Sequence, residues 1–132
     1  MVFYIDASVP IDVARALSFV RSDIIYPGGP GCQITNPGTK DIVWLPVAGA
    51  NLWVVIMRDK HIRTRPGERR QLIDHGVRAF VMTGGGNYSK WQTLELLVRR
   101  WADIEVVAGL DAGPFIYSIT QAGVSRLTAN TA

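Results

Sequence analysis

Apolar residues in this chain fall in short runs, separated by polar, glycine-rich and proline-rich stretches. Residues 52–57, LWVVIM, form the clearest run: continuous, β-favouring and strand-sized, as suits a strand buried on both faces of a sheet. Residues 77–82 read the same way, and 2–5, 24–26 and 115–120 are further strand segments. Between them the spacing turns helical. Ile11, Val13, Ala14, Leu17 and Val20 mark one helix, with Ser8 offering an N-cap and Pro10 suiting an early helical position. Val43, Val47 and Ala50 stand at i, i+4 and i+7 of a short helix over 40–51, which Pro46 should weaken or kink. Pro66-Gly67-Glu68 opens a helix to Asp74 that Gly76 stops. Ser89 caps a longer helix, with Leu94, Leu97, Val98 and Trp101 at helical spacing. Residues 27–39, PGGPGCQITNPGT, are a loop on composition, and Gly84-Gly85-Gly86-Asn87 is a turn. Strands alternating with helices predict a three-layer α/β/α protein with a mainly parallel sheet of four to five strands. No repeat or linker interrupts the pattern, so residues 1–132 are expected to form one domain.

Composition narrows this. A 132-residue chain that is 48% hydrophobic and 19% charged is globular rather than disordered. Its single cysteine, Cys32, excludes an internal disulfide and reads as a small buried hydrophobe. No apolar run reaches membrane-spanning length and no signal segment is visible, so a cytoplasmic location is expected. Trp44, Trp53, Trp91 and Trp101 read as core or interface anchors. His61 and His75 read as exposed polar residues without zinc spacing. The triple glycine lacks the Lys-Ser/Thr of a phosphate loop.

Charge changes the picture more. The net +3 is not spread out. Residues 1–57 carry three Lys/Arg and four acids, residues 71–132 five of each, and residues 58–70 six Lys/Arg against two acids. More than the whole excess therefore sits in thirteen residues directly after the strongest strand. That is a local footprint for phosphate groups. The competing reading is a solvated arginine-rich turn.

In parallel sheets, ligands gather at the carboxyl ends of strands. Asp6 and Asp59 each stand just past such an end, and Thr83 holds the equivalent place after the fourth strand. Asp41 opens the helix that leads into the Asp59 strand. Carboxylates held together repel, and a hard divalent cation such as Mg²⁺ or Mn²⁺ is the usual compensation. A metal there would activate a water and stabilise a leaving oxygen, while arginines grip phosphates bidentately. Asp12, Asp23, Asp74, Asp103 and Asp111 read as surface or turn residues.

FYID near the start, then KDIVWLP, then WVVIMRDKHIRTRPGER resemble the PIN domain superfamily. The resemblance is closest to PIN-like toxins of the VapC type, in the short subgroup whose second acid opens a helix before the third strand. It covers most of the chain. It implies a Mg²⁺- or Mn²⁺-dependent endoribonuclease, usually dimeric and silenced by a cognate antitoxin. Asp6, Asp41 and Asp59 match its acidic positions as catalytic residues and metal ligands. Many PIN domains carry a further acid after the fourth strand, where this chain reads MTGGGNYS. Thr83, Asn87 or Glu68 are the candidates to replace it. Arg58, Lys60, Arg63, Arg65, Arg69 and Arg70 are the candidate RNA-binding residues.

Two other readings compete. A catalytically degenerate RNA- or protein-binding module follows from the absent fourth acid. A receiver-like phosphoacceptor domain also places an Asp after strand three. It needs paired acids after strand one and a lysine before a proline after strand five, and neither is present.

Overall fold

A computed structural model describes residues 1–58, 65–84 and 86–127. The elements run β1 (Phe3–Ile5), α1 (Ile11–Val20), β2 (Ile24–Ile25), α2 (Asp41–Ala50), β3 (Val54–Arg58), α3 (Pro66–Asp74), β4 (Arg78–Met82), α4 (Lys90–Leu110), β5 (Phe115–Thr120) and β6 (Gly123–Arg126). They form one sheet in the order β2-β1-β3-β4-β5-β6. The first five strands are parallel, and β6 turns back antiparallel to β5.

Strand periodicity splits the apolar residues between two cores. Phe3, Ile5, Val54, Ile56 and Phe80 face one side, where α1 and α4 supply Val13, Leu17, Leu97 and Ile104. Tyr4, Val55, Met57, Ala79 and Val81 face the other, against Trp44, Leu45 and Ala48 of α2 and Leu72 of α3. β1, β3 and β4 are thus apolar on both faces because each face is covered, and the result is the expected α/β/α layering.

The chain departs from expectation in three places. The sheet has six strands rather than four to five. The extra one, GVSR, is too short and polar to register as a strand until it pairs with β5, Thr120 opposite Gly123 and Tyr117 opposite Arg126. Leu52 is not in β3: it is exposed, with a left-handed φ of 56°, in the turn from α2. α2 runs through Pro46, which sits on its exposed side. Ser8 does not cap α1, which begins after Pro10 without a side-chain cap. Ser89 does cap α4, in a reciprocal capping box with Gln92. Trp44, Trp53 and Trp101 are core residues, whereas Trp91 is 69% exposed. Among the described residues, no helix is long and apolar enough to cross a membrane.

Candidate active site

Parallel topology decides what meets at the sheet's carboxyl edge. β1, β3 and β4 end there in Asp6, Arg58 and Thr83. Each crossover helix runs back against its strands, so α2 and α3 begin at that edge, with Asp41 and Arg65 at their N-terminal ends.

Asp6 is 3% exposed. Its main-chain N–H donates to Ile56 O of β3 at 2.9 Å, which ties the two strand ends together. Its Oδ2 accepts from the Ser8 main-chain N–H at 3.1 Å and from the Ser8 hydroxyl at 2.5 Å. The same hydroxyl oxygen accepts the Arg58 main-chain N–H at 3.0 Å. Ser8 therefore braces the Asp6 carboxylate against the end of β3. This role was not legible in sequence, because a serine before an apolar helical pattern reads as a cap. Asp-x-Ser directly after a strand is the only local signal.

Asp41 is half-buried, and its Oδ1 accepts from Trp44 Nε1 at 2.9 Å across the first turn of α2. Glu68, Gln71 and Leu72 of α3 line a small cavity together with Asp41 and Trp44. Behind them is an aromatic stack: the Tyr4 ring lies 5.2 Å from Trp44 and 5.1 Å from Trp53, nearly parallel to the latter. Burial pushes the Tyr4 pKa far above the ordinary tyrosine value, and the charges of Asp6, Cys32 and Asp41 raise it further.

The donors fit a hard divalent cation in kind, since Asp6 and Asp41 offer carboxylate oxygens that neighbouring N–H and O–H groups hold in place. Among the described residues no group of three or more His, Cys, Asp or Glu forms a metal cluster. Asp59, the third candidate ligand, lies outside the described residues, as do Lys60, His61 and Arg63. Thr83 is buried and donates its N–H to Ile119 O, while Asn87 is exposed in the turn.

The basic segment separates into distinct environments. Arg58 is half-buried, and its guanidinium donates to Gly86 O at 3.0 Å, tying the end of β3 to the turn after β4. Arg65 and Arg70 are exposed. Arg69 is 8% exposed and, with Arg70, lines a cleft on the flank of α3 away from Asp41. Arg126 of β6 lines the same cleft. Sequence reasoning missed Arg126 because it stands alone, far from the basic run.

Comparison with curated proteins gave no match, nor did comparison with solved structures. A family model described as a PIN-like domain matches residues 1–84, a span that takes in β1 through β4 and both of the acids just described. PIN domains are generally nucleases. This chain belongs to the PIN-like domain family.

Proposed function

We propose that the protein is a Mg²⁺- or Mn²⁺-dependent endoribonuclease, the VapC-type toxin of a type II toxin–antitoxin pair. The observation that carries this reading is the placing of Asp6 just past β1 and Asp41 at the start of α2, both at the carboxyl edge of a PIN-like sheet. Asp6, Asp41 and Asp59 are the proposed ligands, with Glu68, which shares a cavity with Asp41, as a further one. A bound divalent cation would supply an activated water and charge neutralisation at the phosphodiester. Ser8 and Trp44 hold the two carboxylates in fixed orientations, so little reorganisation is needed when charge develops. Arg58, Lys60, Arg63, Arg65, Arg69 and Arg70 are the proposed RNA contacts, and cations on phosphate give affinity with little sequence information. The reading extends to a single domain over residues 1–132, a cytoplasmic location, a cognate antitoxin, and a homodimer or a toxin–antitoxin hetero-oligomer.

The test is cleavage of structured RNAs by the purified chain with Mg²⁺ or Mn²⁺. Wild type should cut, and Asp6→Asn and Asp59→Ala should not. Equal cleavage by wild type and Asp6→Asn overturns the assignment. A second reading, a degenerate RNA- or protein-binding module, draws on the absent acid after β4, where the chain reads MTGGGNYS. RNA binding without calorimetric Mn²⁺ binding would favour it.

A further inference from the structure

Three crossovers of the sheet share one hand, and the fourth does not. β1 to β2 steps one way along the sheet, with α1 on one face. β2 to β3 and β3 to β4 step the other way, with α2 and α3 on the other face. β4 to β5 steps the same way as those two, yet α4 lies with α1. One hand dominates such crossovers in parallel sheets. A β4–β5 crossover of the shared hand would have set its helix beside α3, over β5. Among the described residues that place holds no helix. A cleft of about 770 Å³ lies there instead, between α3 and the β5–β6 hairpin.

α3 walls the cleft with Arg69, Arg70 and Ile73, and Ile116, Arg126 and Leu127 stand opposite. The hairpin wall lies at the amino end of β5, away from the edge that carries Asp6 and Asp41, and outside the PIN-like span, residues 1–84. Ile73 is 40% exposed and Leu127 half-buried, so apolar surface faces the opening. Among the described residues, three guanidinium groups line the cleft against one acid, Asp74. Arg126 is exposed but held in position. Asp111 Oδ2 accepts from one of its nitrogens at 3.1 Å, and its guanidinium lies over the Tyr117 ring at 5.9 Å. A guanidinium has five N–H donors, so an ion pair through one nitrogen leaves donors for a further carboxylate.

We propose that this cleft docks an acidic amphipathic helix of a partner protein, seated beside α3 in the place that α4 does not fill. α3 has nine residues, so the cleft runs for about 13 Å at 1.5 Å per residue. Length and volume together give a cross-section on the order of 60 Å², against about 80–110 Å² for a whole helix 10–12 Å wide. A docked helix thus sinks by roughly half to two-thirds of its girth, over two to three turns. That is the depth at which an amphipathic helix buries its apolar stripe. Side chains at i, i+3 or i+4, and i+7 reach Ile73, Ile116 and Leu127. Acids bordering the stripe meet Arg70 on one wall and Arg126 on the other. Charge selects the occupant, since a basic helix would be repelled by three guanidinium groups. A second copy is a poor match, because the chain's own exposed helix faces mix both signs: Asp12 with Arg15 on α1, and Glu95 and Asp103 with Arg99 on α4. The proposal stands apart from the nuclease reading. Both claim Arg70, so the test uses Ile73 and Arg126, which only the cleft claims.

The experiment titrates the full chain into a labelled, helix-stapled peptide of about three turns, with leucines at i, i+3, i+4 and i+7 and glutamates between them. Fluorescence anisotropy follows binding. Two control peptides carry lysine for glutamate, or the same composition scrambled so that the leucines share no helical face. Only the acidic amphipathic peptide should bind, and less tightly as salt rises. Ile73→Glu and Arg126→Glu should each weaken it at least about tenfold. Arg126→Lys should retain part of the affinity, and Arg15→Glu on the exposed side of α1 should change nothing. Circular dichroism checks that each variant is folded. No binding of the acidic peptide by the wild-type chain overturns the proposal. So does equal binding of either control peptide, or unchanged affinity in both cleft variants. A single-stranded RNA that loses affinity in both variants while the peptide does not assigns the cleft to nucleic acid and overturns the partner helix. Sedimentation showing a wild-type dimer that Ile73→Glu dissociates assigns it to a second copy, with the same consequence. Failure of the wild-type chain to cut RNA overturns the nuclease reading alone.

Discussion

Gly49→Ala separates local propensity from tertiary packing by sign. Gly49 lies in the last turn of α2, the helix that presents Asp41. Helix propensity alone favours alanine by about 1 kcal/mol. The structure reverses this. An alanine Cβ would lie 2.9 Å from the His75 carbonyl carbon and closer still to its oxygen, against a practical limit of 3.0 Å. The obstacle is backbone in the turn from α3 to β4, so no side chain can swing aside. α2 would have to withdraw by on the order of 1 Å, loosening Trp44, Leu45 and Ala48 in their core. Overpacking of this kind costs about 1–3 kcal/mol, and a backbone obstacle belongs at the upper end. The net expectation is a loss of about 2 kcal/mol, a drop of roughly 5–10 °C in Tm. Gly109→Ala in α4 is the control: its Cβ would meet nothing within 4 Å, so propensity should act alone and stabilise by up to about 1 kcal/mol. Urea unfolding of both variants measures the difference. A Gly49→Ala protein as stable as wild type would refute the claim that α2 is seated on the His75 carbonyl.

Trp44→Phe keeps a ring against Tyr4 but removes the N–H that holds Asp41. A hydrogen bond to a charged acceptor is worth about 1.5–3 kcal/mol, so calorimetric Mn²⁺ affinity should fall about tenfold or more, and unchanged affinity would remove Trp44 from the site. Arg21 donates to both Asp23 oxygens, at 2.9 and 2.8 Å, and holds the carboxyl below the ordinary aspartate range. A pKa depressed on folding contributes stability that is complete at neutral pH and lost as pH falls below about 4. The stability gap between wild type and Asp23→Asn should therefore close toward pH 2 in urea titrations; a constant gap would rule out the ion pair as its source. Ser89→Ala removes the capping box of α4 and should cost about 1 kcal/mol, with Ser89→Asp losing much less in thermal melts.

Legibility followed how local each cause was. β3 and β4 could be read because a strand buried on both faces is apolar throughout. The start of α4 could be read because Ser89 and Gln92 satisfy each other three residues apart. Ser8 could not, because its partner is the main chain of Arg58, fifty residues away. Nor could the difference between Arg69, Arg70 and Arg65, which are equivalent in a basic run and differ only in what α3 turns them toward.

The sequence by itself determined the layering, the order of the elements and the placing of Asp6 and Asp41 at element ends. Alternation, apolar runs and caps act over a few residues, and their energies are set by neighbours along the chain. Tertiary structure alone decided which distant groups share a space. Asp6 and Asp41 stand at one edge because parallel strands bring their carboxyl ends together and α2 begins there. Arg126 joins Arg69 and Arg70 because a polar four-residue segment becomes a strand only when β5 offers it hydrogen bonds. Such contacts close long loops, and no local pattern records the partner that a closed loop brings.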